Sequence, residues 1–260
     1  MALLFVVVVT LKYIKTMTQQ IKLYNGKVII NFDENRHFFT DEKGKHILSV
    51  TACTGIIDKS QPLMYWAVKK AKEYLLDNWL IDKKYSQSEI INLLEEASKQ
   101  HRIFKEEAAM VGDLIHNWVS QWILGKKPEM PDNESVVNGI TAFLKFQKKH
   151  KLKWVESERF IYSKRHKYAG ILDAIAQEGK KLTLIDFKSS SGIYPEMYLQ
   201  CAGYKIAYEE ETGKKIDKRI IIKFGKEDGN FEARELDGDK KDEVAFLAAL
   251  TLKRRMKDLI

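Results

Sequence analysis

The stretch ILDAIAQEGKKLTLIDFKSSS, residues 171–191, places Asp173, Asp186 and Lys188 in what otherwise reads as an apolar β-hairpin. Gly179-Lys180 has the glycine-first sequence of a type II′ two-residue turn, which pairs Glu178 with Lys181 and, counting outward, sets Asp173 opposite Asp186. Directly opposed side chains on a sheet lie about 4.5–5.5 Å apart at Cβ, and like charges there are destabilising. Lys188, two residues beyond Asp186, falls on the same face by the strand period. The strand LTLIDFK is otherwise apolar on both faces, the pattern of a central strand covered by helices. Two carboxylates and an ammonium at such a strand end are costly to bury without a ligand. A hard divalent cation, Mg²⁺ or Mn²⁺, is the natural counter-charge, since these ions favour carboxylate and carbonyl oxygen. The plainer alternative is a salt-bridged strand end in which Lys188 alone neutralises one aspartate.

Three neighbours of the hairpin bear on that choice. Gly170 lets backbone or substrate approach the strand closely. Gln200 and Tyr204, four apart, share one face of the next helix, and Gly112 and His116 do the same on a separate helix upstream. Along the chain, residues 21–50 read as a β-meander, and residues 62 to about 125 as helical, ending at Gly125 and Pro128. A further helix spans about 133–150. Residues 154–225 then read as strand, strand, strand, helix (195–211, closed by Gly213) and strand, with a hairpin near 228–230 and a last helix from about 239 to 259. The expected fold is therefore one α/β unit with a mixed central sheet flanked by helices. Residues 1–60 form a β-rich appendage, and residues 61–260 form the main domain, with a helical region over 61–150.

Composition narrows the class. The 260 residues are 45% hydrophobic and 31% charged, with net charge +8 and a pI near 9.2, so a folded chain with a polyanionic partner is the expectation. Cys53 and Cys201 are the only cysteines, which excludes a disulfide framework and a four-cysteine cluster. The opening run ALLFVVVVT is far shorter than the roughly 20 residues of a membrane span, no basic segment precedes it, and Met17 offers an alternative start. No membrane anchor is expected, and the reducing conditions implied by two lone cysteines point to the cytoplasm of a host cell or a phage-infected one, an organelle remaining open.

GILD…LIDFKSSS…YLQCAGY, with GDLIH upstream, resembles the PD-(D/E)XK nuclease superfamily, in particular its RecB-like branch and the mitochondrial genome maintenance exonuclease type. The likeness covers about residues 112–208 and keeps the family's order of motifs. It implies a restriction-endonuclease-like core, with Asp173 and Asp186 as catalytic metal ligands and the backbone carbonyl of Phe187 completing the inner sphere. It also implies His116 as an additional metal ligand, and Lys188 as the group that orients the attacking water and stabilises developing charge. Glu156 matches the acidic residue of the first core strand, and Glu158 is its rival on the same face by the period of two. Ser189, Gln200 and Tyr204 match positions that hold DNA. The cofactor implied is Mg²⁺ or Mn²⁺, and an iron–sulfur cluster is not expected, since the cluster-bearing relatives have cysteines that this chain lacks.

The resemblance thus implies a metal-dependent deoxyribonuclease, an exonuclease on single-stranded DNA or free ends in replication, repair or recombination. No GxxxxGK[ST] motif is present, so any helicase or recombination motor would act in trans. Tyr162, Tyr168, Tyr194 and Tyr198 are candidates for stacking on unpaired bases. Two other readings compete: a non-catalytic nucleic-acid-binding or recombination scaffold, and an endonuclease or RNA-directed nuclease on the same fold.

Overall fold

The structure, a computed structural model, describes residues 18–237 and 239–258. The apolar opening run and Met17 lie outside them. Four short strands come first: β1 (Thr18–Leu23), β2 (Val28–Asp33), β3 (Phe38–Asp41) and β4 (His46–Ser49). They pair antiparallel in succession, and Ile21, Leu23, Ile30, Phe32 and Phe39 close a small core beneath them. A five-residue helix α1 (Val50–Thr54) continues directly from β4, with the Ser49 side chain capping it by accepting from the Ala52 N–H.

Two helices then form a hairpin, α2 (Ser60–Asn78) and α3 (Gln87–Ile123). The start of α3 is fixed by a capping box in which the Ser86 hydroxyl accepts from the Glu89 N–H and the Glu89 carboxylate accepts from the Ser86 N–H. At 37 residues α3 is about 55 Å long at 1.5 Å per residue, and only its C-terminal third reaches the core. Helix α4 (Glu134–His150) packs beside that third, capped by Asn133.

The second half supplies β5 (Lys153–Ser163), β6 (Tyr168–Glu178), β7 (Lys181–Lys188), α5 (Pro195–Thr212), β8 (Lys218–Phe224), β9 (Phe231–Glu235) and α6 (Asp239–Asp258). All nine strands among the described residues join one mixed sheet in the order β1-β2-β3-β4-β6-β7-β8-β9, with β5 on the free edge of β6. Helices α1, α5 and α6 cover one face through Leu172, Leu184, Tyr208, Ile221 and Phe246. Helices α3 and α4 cover the other through Ile115, Phe143, Phe146, Ile185 and Phe187. Burial of that strand from both faces explains why β7 is nearly unbroken apolar sequence. The expected α/β class with a mixed, helix-flanked sheet is what the chain forms.

Arg219 on β8 is a fully buried cation. Its guanidinium meets Asp239 at 2.7 Å and Asp242 at 2.8 Å, tying the first turn of α6 to the sheet. Lys205 on α5 adds contacts to Glu243 at 2.6 Å and Glu209 at 3.5 Å. Among the described residues no helix is long and apolar enough to cross a membrane.

Candidate metal centre

The hairpin register is the expected one. Glu178 pairs with Lys181 and Ala174 with Ile185, and Gly179 takes the positive φ of +61° that a glycine-first turn needs. The ladder, however, stops one step short of Asp173 and Asp186. Strand β5 occupies one edge of β6 along its length, so β4 and β7 must share the other: β4 pairs with Tyr168 and Ala169, β7 with residues 174–178. Between them residues 170–173 have no strand partner on that edge. Instead of facing Asp186 across a ladder, Asp173 turns its carboxylate into this gap, where Oδ2 accepts the Phe187 N–H at 2.6 Å. Gly170 lies in the same gap, where an added Cβ would come within 2.9 Å of the Tyr204 ring. Helix α5 therefore approaches the strand as closely as a glycine permits.

His116 reaches the gap from α3, placed by the fully buried Ile115 beside it, and its Nδ1 lies 3.6 Å from Asp173 Oδ1. The third member is Glu158. His116, Glu158 and Asp173 each offer a ligand atom, and these atoms lie within 4.8 Å of one another.

Glu156 does not join them, which corrects the expectation for this residue. The β5–β6 register shifts between Trp154 and Glu156, and Glu158 adopts a left-handed φ of +49°. The left-handed residue at 158 breaks the period of two, so Glu156 and Glu158 do not share a face. The Glu156 carboxylate turns toward α5, where it pairs with Arg159 and accepts the Tyr208 hydroxyl at 2.9 Å. Glu158 occupies the ladder position opposite Asp173, between the pairs Ser157–Ala174 and Arg159–Leu172. No sequence signal forecasts a left-handed glutamate within a strand.

Asp186 is fully buried between Ile185 and Phe187. The Lys188 ammonium lies 2.5 Å from its Oδ2, and no other donor among the described residues reaches either carboxylate oxygen. Burial, opposed by Lys188 and reinforced by Asp173, pushes the Asp186 carboxyl up to about 6. Burial by the cleft walls and then the charge of Asp173 push Glu158 up to about 7, although that residue stays open to water in the cleft. Burial works against the charged form of Asp173 as well, but His116 outweighs it and holds this carboxyl below its ordinary range. The reverse holds for His116, where burial is outweighed by Asp173 and the imidazole is raised. Lys188 is also raised, its burial outweighed by Asp186 and Asp173. A buried Asp186 carboxylate whose one close partner is Lys188, beside a convergent His/Glu/Asp set, forms a hard oxygen and nitrogen donor set of the kind divalent cations take.

The remaining expected residues are distributed around this centre. Ser189 lines the cleft above it and abuts α3 so closely that a Cβ on Gly112 would lie 2.7 Å from its Oγ. Tyr204 lines the cleft floor, and Gln200 donates to its hydroxyl at 2.8 Å. The Phe187 ring is wedged between Phe224 and Phe143, which anchors the backbone at that point. Tyr168 is a core residue whose hydroxyl donates to the Gly203 carbonyl at 2.6 Å, so it is not available to stack on a base. Tyr194 remains exposed.

The centre lies at the bottom of a cavity of about 1170 Å³. One wall is the α3 stripe Glu106, Met110, Asp113 and Asn117; the other includes Glu34, His37 and Phe39 of the meander. Neither wall carries a sequence motif, although the four-three-four spacing on α3 runs beside His116.

No protein-family model and no curated protein matches the sequence. Among solved structures, the chain is similar to an alkaline exonuclease from Laribacter hongkongensis, with 14% identity over 57% of this chain and 86% of that one and a TM-score of 0.31. The same enzyme in complex with dAMP gives 14% identity over 59% and 93%, with a TM-score of 0.30. The protein SSO0001 gives 16% identity over 74% and 85%, with a TM-score of 0.34. Scores this low carry no argument about the chemistry of this chain.

Proposed function

We propose that the chain is a divalent-metal-dependent deoxyribonuclease of the PD-(D/E)XK superfamily, acting as an exonuclease on single-stranded DNA or free DNA ends. The observation that carries this reading is the convergence of His116, Glu158 and Asp173 beside a buried Asp186 with the Lys188 ammonium held against it. The order of the motifs in the sequence, which resembles the RecB-like branch, supports the same reading, as does the net charge of +8.

His116, Glu158, Asp173, Asp186 and the Phe187 carbonyl would hold Mg²⁺ or Mn²⁺. When bound, such an ion supplies Lewis-acid activation of water and neutralises charge on the scissile phosphate. Lys188 orients the attacking water and stabilises charge developing on the phosphate, with Asp186 fixing the ammonium in place. The backbone N–H of Phe187 fixes the Asp173 carboxylate. Tyr204, supported by Gln200, and Ser189 contact the DNA strand at the cleft floor. The biological setting that fits is replication, repair or recombination, with any motor supplied in trans.

The test is digestion of end-labelled linear and circular DNA, single- and double-stranded, in Mg²⁺, Mn²⁺ or EDTA, with Asp173→Asn and Lys188→Ala alongside the wild type. Metal-dependent loss of linear strands, absent in both variants and sparing circles, is expected. Cleavage of circles would replace the exonuclease with an endonuclease. A folded wild type that cuts nothing would leave the binding-scaffold reading.

A further inference from the structure

Helix α2 and the first two thirds of α3 leave the body of the molecule as an arm that the chain's own contacts do not cover. Helix α2 has no buried residue, and before Val111 only Ala97 of α3 is buried. A helix of 19 residues draws most of its stability from a packed apolar face. On α2, Met64, Val68, Ala71, Leu75 and Trp79 follow one another at steps of four, three, four and four, which sets them in one stripe. Met64, Val68 and Trp79 in that stripe are 61%, 48% and 46% exposed. On α3, Ile90 and Leu94 continue the same face, for with Leu75, Leu76, Trp79 and Leu93 they line an open apolar hollow of about 360 Å³ near the tip of the arm. The tip adds Leu80 and Ile81, 62% and 90% exposed. Trp79 is stacked on Tyr85 with ring centres 4.6 Å apart, so a large aromatic anchor is already fixed in place.

The size and the charge of this face decide what covers it. Its side chains offer on the order of 1,000 Å² of apolar surface, more than the largest patch of a typical monomer and enough for the roughly 800 Å² that each partner brings to a standard stable interface. A face so apolar suits a permanent assembly of like chains, since homodimer interfaces are the more apolar class. Its two flanks are complementary to each other. Lys72 borders the stripe on α2 and Glu95 borders it on α3; both are exposed, and among the described residues neither has an ion-pair partner. Glu73, Glu89 and Glu96, by contrast, are each paired with a lysine of the same arm. Lys72 stands six residues before the end of α2 and Glu95 eight after the start of α3, so their heights on the arm differ by only about 3 Å. A two-fold axis parallel to the arms lays α2 of one copy on α3 of the other at unchanged height. That operation closes the two hollows against each other and brings each Lys72 beside the Glu95 of the other copy.

We infer that the arm is the interface of a homodimer, in which two α2–α3 hairpins form a four-helix bundle with antiparallel neighbours and two Lys72–Glu95 pairs along its edges. The interface lies about 33 Å along α3 from His116, counted from Leu94, and it holds whether or not the chain cuts DNA. Because the axis runs along the arms, both metal centres emerge at the same end of the bundle.

The test is sedimentation velocity of the nucleic-acid-free full chain. The wild type is expected to sediment at twice the 30.2 kDa of one chain, with a dimer Kd of about 10 µM or tighter. Val68→Glu/Leu94→Glu should raise that Kd at least tenfold with the melting temperature of the monomer and its Mn²⁺-induced rise retained, since both side chains are open to water in the single chain. Lys72→Glu and Glu95→Lys should each weaken the dimer at least threefold, and the two together should restore it to within twofold of the wild type. A wild type that stays monomeric at about 50 µM would leave the face to a different protein and overturn the second copy as its occupant. A trimer or larger ring, or a dimer untouched by Val68→Glu/Leu94→Glu, would place the contact elsewhere and overturn the inference. A charge swap that restores nothing would overturn the two-fold pairing of α2 with α3.

Discussion

At the scale of single residues, the centre is defined by charges that the metal-free fold holds at a cost. Glu158 is pushed up to about 7 and Asp186 to about 6, so between roughly pH 4 and 7 the folded protein keeps protons that the unfolded chain has released. Stability of the metal-free protein falls as pH rises through that window. His116 works in the same direction: its raised affinity for a proton stabilises the fold below about 6.5, and this contribution fades as pH climbs past the raised value. Asp173, held low, loses its contribution only in stronger acid. A divalent cation must displace the same protons. Mn²⁺ should therefore raise the melting temperature more at pH 8 than at pH 6 in paired thermal melts, and an equal rise at both would show that these groups do not bind it. The Glu156 carboxylate is held by Arg159 and the Tyr208 hydroxyl, away from the His116, Glu158 and Asp173 cluster. Its replacement by Gln leaves Arg159 without its closest carboxylate and should cost about 1–2 kcal/mol in a denaturant titration. The hairpin register from Glu178–Lys181 to Ala174–Ile185 was legible because the turn at Gly179 fixes it, whereas the end of the ladder one step before Asp173 and Asp186 was not. Glu158 was not, because its place depends on one left-handed residue that breaks the period.

At the scale of elements, the centre exists because β4 and β7 share an edge of β6 without meeting, and because α3 and α5 close over the opening from opposite faces. Periodicity and turn residues placed many elements, such as the helix over about 133–150 and Gly213 ending α5 in a left-handed conformation, but not the break between α2 and α3 at the Ser86/Glu89 box within the helical stretch from 62 to about 125. The gap in the sheet could not, since it follows from pairing between β4 and β6 across more than a hundred residues. Gly112 tests the fit of α3 against the end of β7. Ala at this position puts a methyl group 2.7 Å from Ser189 Oγ, closer than van der Waals contact, so the Ser189 hydroxyl must turn away from α3. Gly112→Ala should change stability by less than about 1 kcal/mol, because the helix gains from Ala, while displacing the Ser189 hydroxyl and lowering kcat/KM several-fold, measured by melting and by steady-state kinetics on the same preparation. A variant that melts normally and turns over normally would show that this contact positions nothing.

At the scale of the whole molecule, stability and charge are unevenly distributed. Helix α2 has no buried residue and packs chiefly on α3, while β6 and β7 are almost wholly buried. Local opening of the single chain should follow that gradient, so in the monomeric Val68→Glu/Leu94→Glu variant hydrogen exchange of the α2 amides should run at least tenfold faster than that of β6 and β7. Comparable protection would mean that α2 is covered in solution. The described residues lining the cleft include Glu34, Glu106, Asp113, Glu158 and Asp173 and no lysine or arginine, a distribution that net charge alone cannot reveal: +8 pointed to a polyanion but not to which surface meets it. The claim on which the rest depends is that the His116, Glu158 and Asp173 cluster, with Asp186 and Lys188, performs phosphodiester hydrolysis. The most direct measurement is Mn²⁺-dependent cleavage of a labelled single-stranded oligonucleotide by the wild type, Glu158→Gln and Glu156→Gln under identical conditions. Cleavage by the wild type and Glu156→Gln, with a loss of at least a hundredfold in Glu158→Gln, is the predicted result. Cleavage retained by Glu158→Gln and lost in a folded Glu156→Gln would contradict the centre as assigned.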